Sequence, residues 1–88
     1  MFYVYILVSN KDGMKYIGST NNLKKRFEMH NLGKVYSTKN RVPFEIVYYE
    51  AYKAEKDARM RERNLKLRSK AYIQLRRRFV NSLELVRG

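Results

Sequence analysis

The 88 residues contain no cysteine, so a disulfide scaffold and a thiolate zinc site are both excluded. Histidine occurs once, at His30, which rules out a multi-histidine metal centre. No run approaches the ~20 apolar residues that a bilayer span needs. The apolar start, Phe2 to Val8, has no basic residues before it and no small-residue cleavage site after it, so it does not read as a signal peptide. Its aromatic and β-branched residues fit a buried strand instead. There is no repeat, low-complexity segment or linker. One domain spanning 1–88 is expected, with no room for a second, in a cytoplasmic, reduced setting away from membranes.

Acidic residues are also scarce. Eight Asp and Glu face 20 Lys and Arg, a formal charge of +12 with a pI near 10.2. Such a field attracts nucleic acid or an anionic membrane surface, and nucleic acid is the stronger reading. The plainer alternatives are a solubilising charged surface or a ribosome-associated protein. The excess is uneven: residues 53–78 carry 11 basic and three acidic side chains, whereas the last ten balance.

The elements follow quickly along the chain. Tyr3 to Val8 is nearly continuous in apolar residues, the mark of a central strand buried on both faces. Asp12-Gly13 is a hairpin signal, and Met14 to Gly18 is the returning strand. Ser19 to Asn22 offers N-caps for a helix running to about Leu32, with Leu23, Phe27 and His30 on one face and Gly33 as its stop. A polar loop over 34–43 precedes a third strand, Phe44 to Tyr49. A helix from about Lys53 to Leu67 carries Ala54, Ala58 and Leu65 inside. A last helix, capped by Ser69, repeats Tyr72, Leu75, Phe79 and Leu83. The order β-β-α-β-α-α predicts an α+β fold, a three-stranded and partly antiparallel sheet flanked by helices.

Three features carry chemistry. The hairpin presents Tyr5 and Tyr16, which meet if they share a face; strands favour tyrosine in any case. Arg26 and His30 lie at i, i+4 on the first helix, on a face bordering the core. A boundary arginine with a snorkelling stem is the plain reading; a bound phosphate, gripped bidentately, is the functional one. Glu62 falls inside the apolar stripe of its helix, between Ala58 and Leu65. An unpaired carboxylate is costly there, so it either pairs with a nearby arginine or ligates a metal such as magnesium, which needs only one or two protein carboxylates.

Tyr3-Val4-Tyr5 followed by Tyr16-Ile17-Gly18 resembles the paired motif of the GIY-YIG nuclease superfamily. The text YVYIL…KYIGSTNNLKKRFEMHNLGK is especially similar to the small stand-alone bacterial GIY-YIG proteins. Arg26, His30 and Arg61-Glu62 then follow in matching order, so the resemblance covers essentially the whole chain. The superfamily includes intron-homing endonucleases, some restriction enzymes and the excision-repair nuclease subunit.

The resemblance implies a single-metal phosphodiesterase, using Mg2+ or Mn2+, that acts on nucleic acid, with DNA ahead of RNA. Tyr16 or Tyr5 would activate the attacking water, Arg26 would hold the scissile phosphate, and Glu62 would bind the metal. His30 would hydrogen-bond the phosphate or a motif tyrosine. Gly18 would let the backbone pass close to the site. A free tyrosine ionises near pH 10, so a tyrosine base needs nearby cations. Tyr16 is the favoured base and Tyr5 its hydrogen-bonding neighbour. All five side chains are expected to converge in one shallow pocket. Lys24, Lys25, Lys39, Arg61, Arg63, Lys66 and Arg68 are the expected nucleic-acid contacts.

Two departures stand out. Tyr3 replaces the first motif's glycine, and Gln74 stands where several relatives have asparagine. Two alternatives to a free-standing, monomeric endonuclease remain: a binding module of the same fold with little turnover, and a nuclease subunit active only with a repair-complex partner.

Overall fold

The computed structural model describes residues 1–87. Strand β1 (Phe2–Ser9) is the middle of a three-stranded antiparallel sheet. It pairs on one side with β2 (Lys15–Thr20) and on the other with β3 (Phe44–Tyr52), giving the order β2-β1-β3. The β1–β2 hairpin closes through Gly13 at φ +73°, a left-handed conformation in which a side chain would be strained.

Strand alternation divides β1 between two cores. Val4, Ile6 and Val8 face one side, where they pack with Ile17, Ala58, Leu65, Leu75, Phe79 and Leu83. Tyr5 and Leu7 face the other, with Phe44, Tyr16, Leu23 and Phe27. The sheet is therefore covered on both faces, as the unbroken apolar run of β1 predicts.

Helix α1 (Leu23–Asn31) covers the Tyr5 face. Its N-cap is Asn22, whose Oδ1 accepts from the Lys25 amide at 3.1 Å. Gly33 follows at φ +72°. The connection to β3 is less featureless than its polarity suggests. It holds a 3₁₀ turn at Lys39–Arg41, and Val35 and Thr38 are buried.

Helices α2 (Glu55–Leu67), α3 (Ser69–Arg76) and α4 (Val80–Arg87) lie on the other face. The expected single last helix is thus two. The amides of Arg78 and Phe79 bond three residues back, to Leu75 and Arg76, so the chain tightens into a turn before α4 restarts. Phe79 and Leu83 are nonetheless both buried, which is why their spacing reads as one helix. Ala54 is also corrected: it is the exposed N-cap of α2, outside the buried stripe of Ala58 and Leu65.

Arg61 fixes the roll of α2 over the sheet. Its guanidinium donates to both oxygens of Glu50 on β3, at 2.9 and 3.1 Å, and the Tyr48 and Tyr52 hydroxyls donate to the same carboxylate. Burial raises the Glu50 carboxyl, but the hydrogen bonds from Arg61, Tyr52 and Tyr48 outweigh it, and the net shift is downward. With Arg61 tied toward β3, the next residue, Glu62, is turned toward β2.

Candidate active site at the β2 edge

Tyr5 pairs with Gly18 across the hairpin and Leu7 with Tyr16, which puts the two tyrosines diagonally on one face. Their ring centroids are 6.4 Å apart. His30, from α1, packs against both, at 5.8 Å from Tyr5 and 5.0 Å from Tyr16. The close fit depends on Gly18. A Cβ there would stand 2.5 Å from the Tyr5 hydroxyl oxygen, 2.6 Å from Cζ and 3.0 Å from Cε2 of Tyr16. Gly18→Ala is therefore expected to push the Tyr5 ring away from His30 and cost about 1–3 kcal/mol of stability by overpacking. Urea denaturation of the variant measures this, and an unchanged midpoint would count against it.

His30 is fully buried. Its Nε2 lies 2.9 Å from the Tyr5 hydroxyl and its Nδ1 lies 2.8 Å from Thr38 Oγ1. The Thr38 hydroxyl is directed at the Val35 carbonyl. Assigned on that network, Nδ1–H donates to Thr38 and the bare Nε2 accepts the Tyr5 proton. Desolvation first, and then the positive charge of Arg26, lower the His30 pKa to about 4, so the ring is neutral at pH 7. A buried neutral ring does not offer a phosphate a charge. Between the two partners expected for His30, the geometry gives it the tyrosine.

The His30 shift has a pH consequence. Unfolded histidine takes up a proton near pH 6.5, whereas the folded ring resists until about pH 4. Stability is therefore lost as pH falls through that window. The loss between pH 7 and 5 should be about 2 kcal/mol, read from denaturation midpoints at the two values. Equal stability at both would contradict the burial of a neutral ring.

Tyr5 is likewise buried. Desolvation is the main cause that pushes its hydroxyl up to about 12, against the Arg26 guanidinium beside it, which works downward. Tyr16 is half-buried and reaches the surface, with the Lys66 ammonium 5.9 Å from its ring centroid.

Glu62 approaches β2 from the opposite layer. Its Oε1 accepts from the Ser19 hydroxyl at 2.7 Å and its Oε2 from Lys66 Nζ at 2.7 Å. Burial raises its carboxyl, but the hydrogen bonds from Lys66 and Ser19 prevail and the net shift is downward, so Glu62 is ionised at neutral pH. The negative charge is felt at Tyr5.

Arg26 completes the group. Among the described residues its Nε is buried with no hydrogen-bond partner. A buried guanidinium N–H left unpaired is costly, and an anionic oxygen is its natural acceptor.

The expected single pocket is instead a row of three depressions strung along α2, the outer two reaching the β2 edge. The first is lined by Arg26, Ser19, Thr20 and Arg59, the second by Arg59, Glu62 and Lys66, and the third by Lys66, Tyr16 and Tyr72. Shared residues make the row continuous. Tyr5 and His30 lie beneath it. Gln74 is exposed on α3.

No group of three or more His, Asp or Glu side chains gathers to hold a metal among the described residues. A hard divalent cation fits all the same, because Mg2+ asks for only one or two protein carboxylates and takes water and substrate oxygen for the rest. Glu62 is ionised, its donors are oxygens, and Ser19 orients it while Oε2 is shared only with an exchangeable lysine.

Of the expected nucleic-acid contacts, Lys24, Lys25, Arg63 and Arg68 are exposed. Lys39 lies over the Tyr36 ring, and Lys66 is drawn to Glu62. Arg61 is committed to Glu50. Ser19, Arg59 and Thr38 were not singled out. Ser19 was readable, since alternation from Ile17 puts it on the Glu62 side. Thr38, inside a polar loop, left no signal.

The GIY-YIG catalytic domain family matches residues 1–77. A UPF0213 protein of Clostridium perfringens is 43% identical over 67 residues, covering 75% of this chain and 71% of the relative. A UPF0213 protein of Bacillus licheniformis is 37% identical over 81 residues, covering 86% and 82%. The solution NMR structure of a UPF0213 protein from Bacillus halodurans superposes with a TM-score of 0.56 at 32% identity, covering 90% of this chain and 87% of that one.

Proposed function

For a chain that belongs to the GIY-YIG family, a nuclease fold, we propose a metal-dependent endonuclease activity that hydrolyses phosphodiester bonds of nucleic acid, DNA in preference to RNA. One observation carries this reading. Arg26, whose buried Nε has no hydrogen-bond partner among the described residues, lines the β2 edge together with Ser19, which holds the ionised Glu62.

In this reading Arg26 binds the scissile phosphate and stabilises the charge that gathers on its oxygens. Tyr16 is the general base toward the attacking water, with the Lys66 ammonium 5.9 Å from its ring centroid. Tyr5 and His30 are positioning residues: their hydrogen bond holds the Tyr5 ring beneath Gly18 and so supports the wall that Tyr16 stands on. Glu62 would hold Mg2+ or Mn2+, which would supply neutralisation of the leaving oxygen. Lys66, released from Glu62 by such an ion, would be free to turn toward phosphate. Exposed Lys24, Lys25, Arg63 and Arg68 gather substrate with little sequence preference.

The bond between Lys66 and Glu62 also favours a second reading, a nucleic-acid-binding module in which the lysine keeps the carboxylate neutralised and turnover is absent. A cleavage panel separates the two. Purified protein with single-stranded, duplex and branched DNA and RNA should cut at least one substrate with Mg2+ or Mn2+ and none with EDTA. Binding should weaken steeply with salt, through counterion release. Salt-dependent binding without any metal-dependent cleavage would overturn the free-standing endonuclease.

A further inference from the structure

The third depression is more than the nuclease reading requires. It is a cleft of about 590 Å³, within the ~300–1,000 Å³ of typical ligand clefts. Ile17, Leu65, Leu67 and Ile73 give it apolar walls, while Lys15 and Lys66 lie on its rim. Leu67 is 76% exposed and Ile73 54%, so neither is serving the core. Lys15 Nζ stands 4.4 Å above the Tyr72 ring, joining a cation to an aromatic face. No carboxylate lines the cleft among the described residues.

We propose that this cleft holds an unpaired nucleobase next to the scissile phosphate, so that the protein prefers single-stranded or splayed nucleic acid to intact duplex. The argument rests on reading the β2 edge as the phosphate site. A flat apolar group carried on an anionic chain matches apolar walls with a lysine rim. Continuity fixes which group it is: Tyr16 and Lys66 belong both to the cleft and to the cleavage edge, so a nucleotide adjoining the phosphate at Arg26 and Glu62 delivers its base there. A base inside a duplex is stacked and paired, and extruding it costs a few kcal/mol. An unpaired base enters without that cost, and contacts between bases and aromatic side chains tolerate any sequence.

The test compares affinity for a short oligothymidylate with affinity for the same backbone made abasic, by fluorescence anisotropy in EDTA. The parent should bind the oligothymidylate about tenfold more tightly than the abasic strand. The doubly substituted L67S/I73S chain, altered only at exposed positions and with an unchanged melting temperature, should bind both strands alike, at the parent's abasic affinity. Duplex binding should be the same for both proteins. Equal affinity of the parent for the two strands would overturn the proposal. So would a dimer in sedimentation that the double substitution dissociates, since a second copy would then fill the cleft. Because no metal is present, a base-dependent affinity coupled with a blank cleavage panel would leave the cleft standing and remove the nuclease; the reverse result would do the opposite.

Discussion

Replacing Glu62 by alanine is expected to bring metal-dependent cleavage down to background while nucleic-acid binding at low salt holds or tightens slightly. The two halves of this result have one cause. Glu62 is the ionised carboxylate on the β2 edge that is proposed to receive the cation, and its removal takes away the ligand. It also releases Lys66, now 2.7 Å from Oε2, and subtracts a negative charge facing phosphate. A half-exposed lysine pair contributes little to stability, about 0–1 kcal/mol, so the variant should fold. Glu62→Gln is the closer control, because an amide oxygen can still accept from Ser19. Measured cleavage with Mn2+, beside anisotropy in EDTA, separates rate from affinity. If Glu62→Ala cuts every substrate as fast as the parent, the observed nicking is contamination and the binding module replaces the enzyme.

Tyr16→Phe should fold normally and lose roughly 10²–10⁴-fold in rate, the range for a general acid–base group. The ring and its contact with His30 remain; only the hydroxyl goes. Tyr5→Phe should behave differently. It strands His30 Nε2, buried and without the proton it accepts, at a cost of about 1–3 kcal/mol in stability. Its rate loss should be the smaller of the two, because burial holds the Tyr5 hydroxyl in its neutral form, up to about 12. Single-turnover rates for both variants, at temperatures where both stay folded, decide the matter. A larger loss for Tyr5→Phe would assign the base to Tyr5, with His30 as the acceptor of its proton.

The parts of this molecule that were legible are those set by alternation and periodicity. An unbroken apolar strand must be covered twice, and β1 is. Tyr5 and Tyr16 were legible as the two arms of one hairpin, and the pairing of Tyr5 with Gly18 and of Leu7 with Tyr16 puts them on one face. Ala58 and Leu65 had to face the sheet, which left Glu62 at the boundary. What was illegible depends on long-range partners. Arg61 and Lys66 look alike as basic residues on α2, yet one is tied to Glu50 and the other to Glu62, and only the roll of the helix decides which. The turn between α3 and α4 was hidden because Phe79 and Leu83 keep a helical spacing on either side of it. The expectation of one pocket failed because Tyr5 and His30 are fully covered.

The edge site draws Tyr16 and Arg26, over the buried His30, from one side of the sheet and Glu62 with Lys66 from the other. Such an arrangement exists only while both layers are docked. If α2 lifts from the sheet in a local opening, the carboxylate leaves although the tyrosine–histidine half stays packed. For the proposed nuclease, competence would then be governed by the least stable layer rather than by the global unfolding free energy. Amide hydrogen exchange along α2 should therefore set the denaturant concentration at which activity disappears, ahead of any loss of the protected β1 amides.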